Sequence, residues 1–167
     1  DGEKRLYLLA ILNSKIFELT VHSITPTISL QPGDVAKLPV IEGDSTQMEK
    51  VISLSKEAVM KSKQSWDDKE LSWDFKRPNF ISNTALDEVL SNSINKYIIS
   101  CQNHADCISD IENEINIELI NIYDIREDVI SNVVSGSDYI NLTAMIGELI
   151  SYIIGCQMGR YSLDREG

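Results

Sequence analysis

The chain has 167 residues, of which 43% are hydrophobic, 7% aromatic and 25% charged, and its formal net charge is −11. This length allows one domain, or one domain with an attached element, and the low Gly, Pro and aromatic content argues against an all-β architecture. A free-standing DNA-binding domain is normally basic, so the net charge argues against nucleic-acid binding over most of the surface.

We find no targeting signal in the sequence and expect a cytoplasmic protein. The charged residues at 1–5 lead into an apolar helix rather than into a signal peptide. The most apolar stretch, 142–158, contains Gly147, Glu148 and Ser151, so we expect no membrane span. Three Cys, an odd number in no metal-binding pattern, indicate free thiols in a reducing compartment. Both ends resemble cut points, and we expect the chain to be a piece of a larger protein.

The first 45 residues predict one helix and a short extended region. Apolar residues recur at steps of three and four over 5–22, around most of the circumference, so we expect this helix to be buried. Residues 23–31 alternate and are rich in β-branched side chains, which favours a short strand. The Pro-Gly-Asp sequence at 32–34 favours a turn, and 35–40 is predicted as a second strand or an extended segment.

Two long helices are predicted next. The pattern over 46–75 is helical, with Trp66 and Trp73 on its apolar seam, and Pro78 ends it. A second seam, with apolar residues at steps of three and four, runs over 84–123. Two long helices joined by a short linker are expected to pack as an antiparallel hairpin.

The predicted fold class is therefore mainly α, a long antiparallel helical hairpin with flanking helices and a small extended or β segment. Residues 124–140 have a loop composition, and a final helix is predicted over 141–160. These elements divide the chain into a helix with an extended segment at 1–45, the hairpin at 46–123, and a loop with the C-terminal helix at 124–167.

No catalytic pattern is present in the sequence. There is no Gly-rich phosphate loop and no nucleophile elbow. The spacing of Cys101, His104 and Cys107 matches no standard zinc pattern. The acidic pair Asp67 and Asp68 is interpreted as part of a solvated face or a helix cap. We therefore expect neither a catalytic residue nor a metal nor a cofactor in this chain.

The distribution of charge restricts where nucleic acid could bind. Residues 78–140 hold two basic and eleven acidic side chains, whereas 46–77 hold seven basic and six acidic ones. The acidic stretch should face solvent or a protein partner, so any DNA contact belongs to 46–77 and its neighbours. The aromatic rings of Trp66, Trp73 and Phe75 are interpreted as anchors at one end of the hairpin, on a different face from the Lys side chains.

Several phrases, in order along the chain, resemble one protein family. They are LAILNSK at 9–15, PTISLQPGDVAKLPV at 26–40, SWD at 65–67, SWDFKR at 72–77, EINIELINIYDI at 114–125 and ISYIIGCQMGRYSLD at 150–164. The first two resemble the close of the target-recognition region of large adenine-specific DNA methyltransferases. The others resemble the following segment of the PglX-type methyltransferases of bacteriophage-exclusion (BREX) systems. Fused restriction-modification enzymes are similar, but less closely.

The resemblance implies that the parent protein methylates adenine at N6, using S-adenosylmethionine and a flipped-out base. The family's Asn-Pro-Pro-Tyr motif and cofactor loop do not occur in this sequence, so the resemblance assigns no catalytic residue here. It implies a non-catalytic target-recognition and spacer fragment, with 1–45 as the end of a recognition region. The implied partners are double-stranded DNA, through the parent protein, and the remainder of the methyltransferase chain.

Nine residues are the candidates for contacting DNA: Asn13, Lys15, Gln31, Lys37, Lys61, Lys63, Lys69, Lys76 and Arg77. The alternative function is an acidic helical interaction module, in which 78–140 docks a partner subunit. A small enzyme of unrecognised type is the third possibility, and it has no motif to support it.

Overall fold

The computed structural model describes residues 2–24, 31–82, 90–125 and 142–162. These ranges contain helices and no strand, which confirms the prediction of a mainly α chain. The helices of these ranges are α1 (Gly2–Leu12), α2 (Lys15–Ile24), α3 (Pro32–Val35), α4 (Ser45–Asp67), α5 (Asn79–Ser82), α6 (Leu90–Tyr123) and α7 (Leu142–Gln157). Within the described part of the chain, every helix is too short or too polar to cross a membrane.

The helix predicted over 5–22 is two helices, so that prediction is wrong in its continuity. The break lies at Asn13 and Ser14, whose side chains bond to the carbonyls of Leu9 (2.9 Å) and Ile11 (2.7 Å). The Ser14 hydroxyl also accepts a hydrogen bond from the Phe17 N–H at 3.3 Å, as an N-cap of α2 does. Short polar side chains compete in this way for the backbone groups that would continue the helix.

Burial of α1 is one-sided, although its sequence is apolar almost all round. Tyr7, Ala10 and Ile11 are buried, whereas Leu8 and Leu12 are each 41% exposed. The prediction of a buried first helix therefore holds for one face of α1 only.

The strand predicted over 35–40 is wrong, because 32–35 form a single helical turn and 39–44 are irregular. Pro32 takes the first helical position, which suits its fixed φ and missing N–H. The Asp34 carboxylate accepts a hydrogen bond from the Gln31 N–H at 3.4 Å. The strand predicted over 23–31 falls mainly on 25–30, outside the described residues.

Two tyrosines hold the irregular stretch 39–44. The Tyr7 hydroxyl donates to the Ile41 carbonyl at 2.6 Å. The Tyr123 hydroxyl donates to the Pro39 carbonyl at 2.8 Å and accepts from the Ile41 N–H at 3.3 Å. Side chains thus supply the hydrogen bonds that a neighbouring strand would have supplied.

The chain divides into two compact units, and each contains part of α4 and part of α6. The first unit comprises Asp1–Val59 and Ile108–Ser135, and the second comprises Met60–Cys107 and Gly136–Gly167. The sequence analysis divided the chain at residues 45 and 123 into consecutive segments. The two compact units are not consecutive segments, so they do not test this division, and it stays a prediction.

In the first unit, α4 and α6 run antiparallel. Lys50 forms an ion pair with Glu118, and Gly43, just before α4, lies against Ile122, farther along α6. The core of this unit includes Val51 of α4, at 0% exposure, and three α6 residues spaced four apart. They are Ile111, Ile115 and Leu119. The predicted apolar seam of the second long helix is confirmed over this stretch.

In the second unit, the same two helices also run antiparallel. His104 Nε2 lies 2.9 Å from the Lys61 carbonyl oxygen. Farther along the chain, Gln64 near the end of α4 and Asp68 just beyond it share a cavity with Tyr97 and Cys101, which precede His104 in α6. The hairpin predicted from the sequence is thus present in both units.

An aromatic cluster closes the second unit at the end of α7. Tyr152, which is 1% exposed, stacks on Tyr161 with 5.3 Å between ring centroids, and Phe75 meets Tyr161 edge-on at 5.6 Å. A Cβ added to Gly155 would lie 2.5 Å from Tyr161 Cδ2, so the ring occupies the space that a larger residue would need. Gly159, at φ 73°, ends α7 in the left-handed conformation, and this reversal carries Tyr161 back onto the helix.

Candidate nucleic-acid interface

Residues 68–78, called the connecting segment below, join α4 to α5. The helix predicted over 46–75 ends at Asp67, so the connecting segment is a series of turns. Trp73 is fully exposed and Trp66 is 49% exposed, so the prediction that both Trp rings anchor the hairpin is wrong. Phe75 does pack in the core of the second unit, as predicted.

A polar network at the end of α4 fixes the first half of the connecting segment. The buried Ser72 hydroxyl donates to Asp67 Oδ1 at 2.8 Å and accepts from the Asp74 N–H at 3.2 Å. Lys63 Nζ bonds to Asp67 Oδ2 at 2.5 Å and to Asp74 Oδ2 at 2.7 Å. These Asp and Ser groups turn the chain out of the helix, because they satisfy backbone and carboxylate groups in a non-helical geometry.

The ion pairs also favour the charged forms of groups in the network. The hydrogen bonds from Lys63 and Ser72 hold the pKa of Asp67 below its ordinary value. The carboxylates of Asp67 and Asp74 in turn raise the pKa of the Lys63 ammonium. Lys63 was a candidate for contacting DNA, and the structure places its charge between two carboxylates instead.

Glu70 fixes the middle of the connecting segment to the end of α7. Its carboxylate accepts hydrogen bonds from the Ser151 hydroxyl at 2.6 Å and from the Tyr161 hydroxyl at 3.1 Å. Arg160 Nη1 lies 3.6 Å from the same carboxylate. Glu70 was not among the residues predicted from the sequence. Its polar partners lie far along the chain, so they leave no local pattern around Glu70.

Three further DNA-contact candidates lie on the connecting segment itself. Lys69 Nζ lies 5.9 Å from the centroid of the Trp66 ring, at the distance of a cation–π contact. Lys76 is exposed and Arg77 is half-buried. Three basic residues thus lie on the same stretch of chain as the exposed Trp73.

The remaining candidates lie elsewhere. Lys61 is half-buried in α4. Four belong to the first unit: Asn13, Lys15, Gln31 and Lys37. Asn13 and Gln31 occupy helix ends, the Lys15 N–H donates to Asn116 Oδ1 at 2.9 Å, and Lys37 forms an ion pair with Asp34 at 3.1 Å. Their contact with DNA stays a prediction.

A cavity of about 260 Å³ lies in the second unit, beside the connecting segment. Polar and apolar surfaces contribute about equally to its lining, which includes Asp68, Asn79, Tyr97, Cys101 and His104. Among the described residues no three His, Cys, Asp or Glu side chains lie close enough together to hold a metal ion.

Asp68 is half-buried in this cavity, so its interpretation as part of a solvated face is wrong. The Asn79 side-chain amide donates a hydrogen bond to its carboxylate. Burial raises the pKa of Asp68, and the hydrogen bond from Asn79 opposes that rise. The charged form is therefore less favourable here than in water.

Asp68→Asn is expected to raise the melting temperature at pH 7. The amide keeps a hydrogen-bond acceptor for Asn79 and removes a charge that burial disfavours. A carboxyl with a raised pKa in the folded state stabilises that state at low pH, and this contribution is lost as the pH rises through the folded pKa. The difference between the variant and the wild type should thus disappear below about pH 4.

Thermal melts followed by circular dichroism at pH 7 and at about pH 3, below the ordinary pKa of Asp, test this prediction. Asp110→Asn, at an exposed position of α6, is the matched control and should leave the melting temperature nearly unchanged. A lower melting temperature of the Asp68 variant at pH 7 would show that the Asp68 charge is favourable.

The comparison with known proteins confirms the resemblance read from the sequence phrases. No family model matches the chain. The adenine-specific methyltransferase BrxX of Escherichia coli O9:H4 (strain HS) is 33% identical over 193 residues, and the adenine-specific methyltransferase PglX of Lacticaseibacillus casei (strain Zhang) is 28% identical over 173 residues. Both alignments cover the whole chain, which spans only 15% and 14% of the lengths of these relatives. The whole chain is thus similar to a segment of each of these two adenine-specific methyltransferases.

Proposed function

We propose that the chain is a non-catalytic target-recognition and spacer segment of an adenine-specific DNA methyltransferase. The observation that carries this proposal is the similarity of the entire chain to a small part of two such enzymes. The adenine N6 methylation and the S-adenosylmethionine site belong, in this proposal, to the rest of the parent protein.

The spacer role is supported by the long helices. The length of a helix is fixed by its residue count, and α6 alone has 34 residues. A helix of fixed length can hold a base-reading element at a constant distance from a catalytic domain.

The recognition role is supported by the connecting segment. Lys69, Lys76 and Arg77 lie on it, beside side chains that are exposed to solvent. Lys and Arg contacts to phosphate supply most of the sequence-independent affinity of DNA-binding proteins. By contrast, α6 exposes several carboxylates, which would repel DNA and should lie away from it.

Duplex binding by the chain at several salt concentrations tests the proposal. Three phosphate contacts should make the logarithm of the association constant fall with the logarithm of the salt concentration at a slope of about −2.7. Binding without salt dependence, or no binding at low salt, would leave the acidic protein-interaction module as the better function. Calorimetric binding of S-adenosylmethionine to the chain alone would contradict its non-catalytic role.

A further inference from the structure

Two large apolar side chains of the connecting segment, two residues apart in the chain, are both exposed. Trp73 is fully exposed and Leu71 is 81% exposed. A Trp side chain offers one of the largest apolar areas for burial, so leaving it in water forgoes a large stabilisation. Two large exposed apolar groups on one short segment indicate an interaction site more strongly than scattered single ones do.

The same segment is held in place from the inside. Glu70, Ser72 and Phe75 make the inward contacts, through the α7 hydroxyl groups, the Asp67 carboxylate and the Tyr161 ring. Leu71 and Trp73 alternate with these anchors and are exposed to solvent. An apolar pair presented by a fixed backbone loses little conformational freedom when it binds.

The charge around the pair is compatible with DNA. Lys63 forms ion pairs with both Asp67 and Asp74, and Arg160 lies beside Glu70. Each of these three carboxylates thus has a basic partner within the second unit. Lys69 lies over Trp66, and Lys76 and Arg77 follow Trp73 by three and four residues. Basic residues flanking an exposed aromatic ring are the combination that nucleic-acid-binding surfaces use for stacking.

We propose that Trp73 and Leu71 form an apolar wedge that inserts between adjacent base pairs of duplex DNA, while Lys69, Lys76 and Arg77 contact the flanking phosphates. The wedge rests on the proposed function, because it requires that the chain bind DNA. Apolar side chains used in this way partly unstack a base step and kink the duplex.

Tryptophan fluorescence tests the wedge directly, because the chain contains only two Trp residues. In the Trp66→Phe variant, Trp73 is the sole Trp, and its emission should be quenched in proportion to bound duplex as the ring stacks on bases. Trp73→Ala should weaken duplex binding by about 5- to 150-fold, the range found for removal of one stacking ring. The salt slope should not change, since no charge is removed.

Met158→Ala is the matched control. Met158 is 80% exposed and belongs to the same unit, so its substitution removes exposed apolar surface that is not part of the connecting segment. It should leave duplex affinity unchanged, and circular dichroism should show that both variants are folded.

The outcomes separate the wedge from the proposed function. Salt-dependent duplex binding without quenching of Trp73, and with wild-type affinity in Trp73→Ala, would overturn the wedge alone. If the wild-type chain shows no salt-dependent duplex binding, both the wedge and the recognition role are overturned. Quenching together with a loss of affinity that Met158→Ala does not share supports the wedge.

Discussion

Replacement of Leu119 by Ala is expected to lower the free energy of unfolding by about 2–5 kcal/mol. Leu119 is 0% exposed, and it continues a buried row of α6 that includes Ile111 and Ile115. Removal of its side chain leaves a cavity that the surrounding helices can fill only in part, so both transfer free energy and packing are lost.

Chemical denaturation followed by circular dichroism measures this change. Ile117→Ala is the matched control, because Ile117 lies on the same helix and is 52% exposed. Its effect should stay within about 0.5 kcal/mol, since Ala is a good helix former and little burial is lost. Equal effects of the two substitutions would contradict the assignment of the α6 seam to the core.

Replacement of Lys69, Lys76 and Arg77 together by Gln is expected to weaken duplex binding by about two to three orders of magnitude at 0.1 M salt. Each phosphate contact contributes about 0.9 to the slope of log K against log salt, so the slope should become shallower by about 2.7. Gln keeps part of the aliphatic stem of each side chain, which limits the loss of packing.

A second triple variant controls for net charge. Lys4, Arg5 and Lys56 are exposed residues of the first unit, and their replacement by Gln changes the formal charge by the same amount. If both variants lose equal affinity, the effect is one of total charge and not of contact by the connecting segment. The salt titration should therefore be done on both.

The helical hairpin could be predicted from the sequence because its signal is local and repeated. Apolar residues of α6 recur every three or four positions, and Ile111, Ile115 and Leu119 are buried as that period requires. The same reasoning failed for the start of the chain, since a continuous apolar pattern gave no sign that Ser14 caps a new helix. Ala105, which steps of three residues back from Ile111 also place on the predicted seam, is exposed.

The end of α4 shows why the candidate site was less predictable. Trp66 and Trp73 are seven residues apart, which suits two turns of a helix, but α4 ends at Asp67. The side chains that turn the chain there include Lys63 and Asp74, which are eleven residues apart. Composition selected basic residues of 46–77 as candidates for contacting DNA. It could not show that Lys63 is paired or that Trp73 is exposed, because both depend on tertiary contacts.

The contacts of Glu70 set an order for the completion of the second unit during synthesis. Glu70 and its partner Tyr161 are 91 residues apart in the chain. A ribosome releases the connecting segment well before α7, so Glu70 and Phe75 emerge when Ser151, Tyr152 and Tyr161 do not yet exist. The exposed apolar side chains of the connecting segment therefore spend this interval on a chain held only by the contacts at the end of α4, and the anchors on α7 are added when that helix arrives.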